Sequence, residues 1–206
     1  GKFVLTGSND YSEGARLWRF DTGQLIYSLG KGINAAAFSP DGKSILTVDR
    51  DDITGQLWSV DSGQAISTLR FDNNNVRSNN VVAVAFSPDG KFILTRNASD
   101  RAAPLWSVGS GQLVSMFRHE SEVMAIAFSP DGKFVLTGCG YGGARLWSVD
   151  SGQLISKVGQ SDYVDAVAFS PDGKFVLTGG GKVLARLWRV DSSQLGVTIH
   201  HNYNMV

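Results

Sequence analysis

The sequence predicts an all-β chain made of five copies of one four-stranded antiparallel unit. Three observations carry that prediction. Tryptophan recurs at Trp18, Trp58, Trp106, Trp147 and Trp188, each after a leucine, at spacings of 40, 48, 41 and 41 residues. The tetrapeptide Ser-Pro-Asp-Gly recurs at 39–42, 87–90, 129–132 and 170–173, each time after Ala-Phe and before Lys. Between these marks the apolar residues alternate or form short β-branched and aromatic runs. No window of helical length shows a 3.6-residue apolar period.

The unit containing Trp188 displays the elements in order. Val164, Ala166 and Ala168 alternate with Asp165 and Val167 as a first strand, and Phe169 leads into Ser-Pro-Asp-Gly. Proline at the second position and glycine at the fourth suit a type I turn. Residues 174–178 form a second run, rich in β-branched and aromatic residues, and a glycine-rich loop is expected at 179–181. Residues 185–190 make the third strand. Asp191-Ser-Ser, elsewhere Asp-Ser-Gly or Asp-Thr-Gly, is the next turn, and 194–199 make the fourth strand. Units at about 1–41, 42–89, 90–131, 132–172 and 173–206 take up all 206 residues and leave a single domain.

A four-stranded sheet with two apolar faces cannot stand alone, and repeating such sheets around an axis is the β-propeller solution. Ala-Phe-Ser-Pro-Asp-Gly, a Leu-Thr-Gly strand and an Ala-Arg-Leu-Trp strand at a period near 41 resemble the WD-repeat (Trp-Asp repeat) family along essentially the whole chain. The near-identical units look most like the long bacterial arrays of that family. The resemblance implies a propeller of four-stranded blades: a five-bladed ring, or part of a larger one. The phase leaves both open, because Gly1 falls at the start of a second strand and Met205-Val206 at the start of a first.

The resemblance also implies a buried polar chain in each blade: a His before the first strand, an Asp after the second, a Ser or Thr in the second and the Trp of the third. His119 and His201 stand at the His position, with Gln160 and Arg77 there in two other units. Asp52 and Asp100 match the Asp, and Asp10 does so after an insertion, whereas Tyr141 and Lys182 do not. Thr6, Thr47, Thr95, Thr137 and Thr178 supply the hydroxyl in all five units. The Asp that would follow Trp is replaced by Arg19, Ser59, Ser107, Ser148 and Arg189. The expected pairing is His119 with Thr137 and Trp147, with Tyr141 in place of the Asp. The chains are therefore expected to be partial, and Trp, Phe and Leu packing to hold the blades.

Composition narrows the function. Nineteen Lys and Arg balance nineteen Asp and Glu, which argues against a nucleic-acid or anionic-membrane binder working by bulk charge. The single cysteine, Cys139, excludes an intramolecular disulfide, and its loop position without a cationic neighbour reads as a bland thiol. No apolar run approaches a membrane span and no leader is visible, so a cytoplasmic location is expected.

Catalytic chemistry has little to stand on. The histidines are His119, His200 and His201, and adjacent strand residues such as the last two point to opposite faces and chelate poorly. Thr178-Gly-Gly-Gly-Lys182 lacks the phosphate-loop spacing, and no dinucleotide fingerprint follows from 138–143. Asn97-Ala-Ser99 is a formal glycosylation sequon. The expectation is no enzyme, no metal and no cofactor.

What varies from unit to unit is confined to two loop classes: those after the second strand (8–14, 48–54, 96–102, 138–143, 179–183) and those after the fourth (29–32, 71–80, 118–122, 158–162, 200–204). In an antiparallel meander both classes emerge at one end of the sheet, opposite the nearly constant turns. Variation confined to one face marks a binding surface. The candidate contacts are Tyr11, Glu13, Lys31, Arg50, Arg77, Arg96, Tyr141 and Lys182, for a protein or peptide partner of a scaffold or sensor module cut from a larger chain. The alternative is a lectin-like glycan binder, which would need one aromatic at the same loop position in every unit.

Overall fold

The computed structural model describes residues 1–8, 10, 12–49, 54–71, 81–159, 163–181, 184–192 and 194–200. Among them are nineteen strands in five antiparallel sheets and no helix. The first sheet has three strands, β1 (Phe3–Thr6), β2 (Ala15–Arg19) and β3 (Leu25–Leu29). The second holds β4 (Ile33–Phe38), β5 (Ser44–Asp49), β6 (Thr54–Ser59) and β7 (Ala65–Arg70). The third holds β8 (Val81–Phe86), β9 (Phe92–Asn97), β10 (Ala102–Ser107) and β11 (Leu113–Arg118). The fourth holds β12 (Val123–Phe128), β13 (Phe134–Cys139), β14 (Ala144–Ser148) and β15 (Leu154–Val158). The fifth holds β16 (Ala166–Phe169), β17 (Phe175–Gly180), β18 (Leu184–Arg189) and β19 (Leu195–His200). Each sheet is a meander in chain order, the expected consequence of short strands joined by tight turns.

The chain separates into two compact units, one of residues 1–98 with 105–114 and one of 99–104 with 115–206. Within each, the apolar material lies between consecutive sheets rather than inside one. In the first unit Ala15, Leu17 and Leu29 meet Ile33, Ile45 and Val60 of the next sheet, and Leu46, Val48, Leu69 and Phe71 meet Val81, Ile93 and Trp106. In the second, Leu136, Leu146 and Val158 meet Val164, Val176 and Trp188. A sheet with two apolar faces is stable only when both are covered; the second sheet has both covered in this way, whereas Val4 of the first sheet and Leu177 and Val197 of the fifth are exposed.

The constant turns have a purely local cause. In Ser-Pro-Asp-Gly the Gly42 N–H donates to the Ser39 carbonyl at 2.9 Å, with Gly42 at φ 69°. The Ser39 hydroxyl donates to Asp41 at 2.6 Å and accepts the Ser44 amide at 2.9 Å, while Asp41 accepts the Lys43 amide at 3.0 Å. The same staple recurs around Ser87, Ser129 and Ser170. In all four, the serine hydroxyl above all holds the aspartate below the usual carboxylate range.

Two sequence expectations need correction. The glycines at 179 and 180 pair with Ala166 and Leu184 as part of β17, so the expected loop is mostly strand. Cys139 is the last residue of β13 and is buried, with its thiol donating to the Tyr141 and Gly143 carbonyls. Asn97 closes β9 and is buried, in keeping with a sequon that carries no glycan.

Candidate functional site

Each indole is held by the threonine of the neighbouring strand. The N–H of Trp18, Trp58, Trp106, Trp147 and Trp188 donates to Thr6, Thr47, Thr95, Thr137 and Thr178 at 2.8–3.0 Å. Register explains it: Val135 of β13 faces Trp147, and Thr137 lies two residues further on the same face. Thr47, Thr95, Thr137 and Thr178 are buried, whereas Thr6 is exposed. Among the described residues Thr6 lies on β1, the edge strand of the three-stranded sheet. It is a surface hydroxyl rather than a core one.

His119 extends one of these pairs into a buried chain. Its Nε2 lies 2.7 Å from the Thr137 hydroxyl, and its ring stands edge-on to Trp147 with centroids 5.6 Å apart. With the proton on Nε2, the Thr137 oxygen accepts from both rings and sends its own proton to the Arg145 carbonyl at 3.3 Å. Nδ1 is buried without a partner. Tyr141, at the position of the family's Asp, points its ring into solvent instead. Burial, and secondarily the Arg145 guanidinium, push the His119 pKa down to about 4.

That shift has a testable sign. A histidine depressed in the fold stays neutral there while the unfolded chain, near 6.5, already takes up its proton. Its contribution is intact above pH 6.5 and is lost as pH falls to about 4, by as much as roughly 3 kcal/mol. His119→Gln is expected to flatten the decline of urea midpoints between pH 6.5 and 4. An unchanged acid limb in that window would contradict the assignment. The turn aspartates titrate lower and do not confuse it.

The variable loops meet one another. Gly32 and Ile33, after β3, donate their amides to the Glu13 and Ser8 carbonyls of the β1–β2 loop at 3.0 and 2.9 Å. Likewise the His119 and Val123 amides donate to the Arg101 and Asp100 carbonyls at 2.7 and 2.8 Å. The same 118–122 connection reaches the β13–β14 loop on its other side. Gly140 donates to the Glu122 carbonyl at 2.9 Å, and the Tyr141 amide to the Ser121 hydroxyl at 3.0 Å. Arg145, buried, donates to the Arg118 carbonyl at 2.9 Å and to Glu120 at 3.0 Å. Both loop classes thus form one rim within each unit.

Of the sequence-predicted contacts, Glu13 and Lys31 are exposed, Glu13 in an ion pair with Arg16 at 3.2 Å. Arg96 is half-buried on β9, and Tyr141 is exposed. Asp100 is half-buried beside this rim. Asp10 bonds Ser12 in an exposed local turn rather than reaching Trp18. Tyr11, Arg50, Arg77, Lys182, Asp52 and His201, with Gln160, lie outside the described residues. Sequence reading missed Ser121, Glu120, Arg145 and Tyr163. Only Arg145 had a signal, the repeated Ala-Arg-Leu-Trp.

Among the described residues no group of three His, Cys, Asp or Glu could hold a metal ion, and no helix is long and apolar enough to cross a membrane.

A scan of family models matches the WD40 model, described as WD domain, G-beta repeat, at residues 23–59, 63–107, 111–148 and 152–184. The chain belongs to the WD-repeat family. The first match runs from β3 through β6, so this sequence repeat joins the last strand of one sheet to the first three strands of the next, as the second and third matches do. Repeats of this family generally mediate protein–protein interaction and are typically non-catalytic. No curated protein matches the chain.

Proposed function

We propose that the chain is a non-catalytic interaction scaffold or sensor domain, its five repeats acting together, and that the rim of variable loops docks a protein or peptide partner. One observation carries this reading. Within each unit, segments that differ between repeats hydrogen-bond to each other, while the turns at the other end of the strands repeat one Ser–Asp staple. The staple explains why those turns are alike without any ligand. No such staple accounts for Lys31 or the Tyr141 ring, and Glu13 has only an exposed ion pair with Arg16. Proposed contacts are these three with Arg96, and Tyr11, Arg50, Arg77 and Lys182 from the sequence.

The lectin-like alternative requires one aromatic repeated at one loop position, and no specific observation favours it. Substituting Glu13, Lys31 and Tyr141 together is expected to weaken partner binding by about tenfold or more. Asp41→Asn with Asp89→Asn, at the opposite turns, is expected to leave it unchanged. Titration of the purified partner against both sets decides the matter, and the reverse pattern would refute the assignment.

A further inference from the structure

Two exposed tyrosines, Tyr141 and Tyr163, lie together on the rim of the second unit. The rings of Tyr141 and Tyr163 stand at 85° with centroids 6.2 Å apart, and are 76% and 38% exposed. An exposed ring on a glycine-rich loop ordinarily loses entropy when a partner orders it. Here the loop is already fixed. The Tyr141 amide donates to the Ser121 hydroxyl, which donates back to the Tyr141 carbonyl. The Gly140 amide is tied to Glu122, and the Cys139 thiol donates to the Tyr141 and Gly143 carbonyls. Next to Tyr163, the Val164 amide donates to the Cys139 carbonyl at 3.0 Å. Val164 is buried, so alternation turns Tyr163 and Asp165 outward together.

Charge sets the sign of what fits. The segments that meet here, 119–122, 138–143 and 163–165, carry Glu120, Glu122 and Asp165 and neither Lys nor Arg. Arg145 reaches the group from below, but its side chain is only 8% exposed and is engaged by Glu120 and the Arg118 carbonyl. Glu122 uses one oxygen to accept the Ser99 amide at 2.9 Å. The bordering residues add Asp100 and two exposed arginines, Arg101 and Arg118, so the segments that meet at the rings are acidic and basic groups flank them.

We infer that the Tyr141–Tyr163 pair receives a Lys or Arg head from a basic segment of the protein partner, with the rings supplying cation–π contact and the carboxylates long-range attraction. This rests on the interaction rim proposed above and names the chemistry of one part of it.

The probe is a labelled Gly-Ser peptide carrying consecutive arginines, compared with its citrulline and glutamate counterparts by fluorescence anisotropy against the full chain. The arginine peptide is expected to bind, more weakly as salt rises, and the other two are not. Tyr141→Ala is expected to weaken binding roughly 3- to 30-fold, while Tyr141→Phe, which keeps the ring, retains most of it. Thermal melts of both variants should match the parent, since the ring is exposed. Equal binding of the citrulline peptide, or no effect of Tyr141→Ala, would overturn the inference. A natural partner lost on Glu13 and Lys31 substitution but indifferent to Tyr141→Ala and Tyr163→Ala would overturn it too, and leave the rim standing. A partner indifferent to every rim substitution would overturn the rim itself.

Discussion

Trp106→Ala is expected to lower stability by about 3–5 kcal/mol, the range for truncating a large aromatic in a closed core. Trp106 is among the largest side chains that are fully buried. It lies in the first unit against Phe71, with ring centroids 5.3 Å apart, and in the cluster formed by Leu46, Val48, Ile93 and Val81. Truncation removes that contact from two sheets at once. It also leaves the buried Thr95 hydroxyl without the indole N–H that it accepts at 3.0 Å. Trp18→Ala is the internal control. Its threonine is exposed and its ring only half-buried, so the loss there should be clearly smaller. Urea melts of both variants measure the difference. A loss at Trp106 below about 1 kcal/mol would contradict the packing described.

Gly143→Ala is expected to be the most damaging glycine-to-alanine change among the described residues, at about 3 kcal/mol or more. A Cβ there would lie 1.8 Å from the Gly159 carbonyl oxygen, which is backbone and cannot swing away. Gly143 also has φ 76°, a region that disfavours any Cβ. Gly14, the corresponding residue ahead of β2, shows the steric part alone: its Cβ would lie 2.0 Å from the Gly30 oxygen, with no positive φ. Gly14→Ala should therefore be severe but milder than Gly143→Ala. Gly7→Ala, with nothing within 4 Å, should stay within about 0.5 kcal/mol. The two severe sites are where a loop after a second strand is pressed onto the chain leaving a fourth strand. Chemical denaturation of the three variants gives the ranking, and equal effects at Gly7 and Gly14 would contradict the close approach.

These two positions show what the sequence could and could not disclose. The indole–threonine pairs were legible because both partners recur at the repeat period, and strand alternation places them on one face. The Ser-Pro-Asp-Gly turns were legible for the same reason, since their bonds span five residues or fewer. Contacts between loops carry no period. Arg145 meets Glu120 from 25 residues away, and Tyr141 meets Ser121 from 20, through geometry that only the stacked sheets create. Tyr163 was invisible because its unit has no aromatic counterpart in the others. The glycines at 179–180 misled because a strand whose Gly180 passes close to the Tyr163 carbonyl also favours glycine, as a loop does.

The central claim is that partners engage the rim of variable loops and leave the stapled turns free. Amide hydrogen exchange of the chain with and without its purified partner tests this directly. The account predicts protection at 12–14, 96–102, 118–122 and 138–143, with 39–44, 87–92 and 129–134 unchanged. Protection centred on those Ser-Pro-Asp-Gly turns, with the loops exchanging as before, would contradict it.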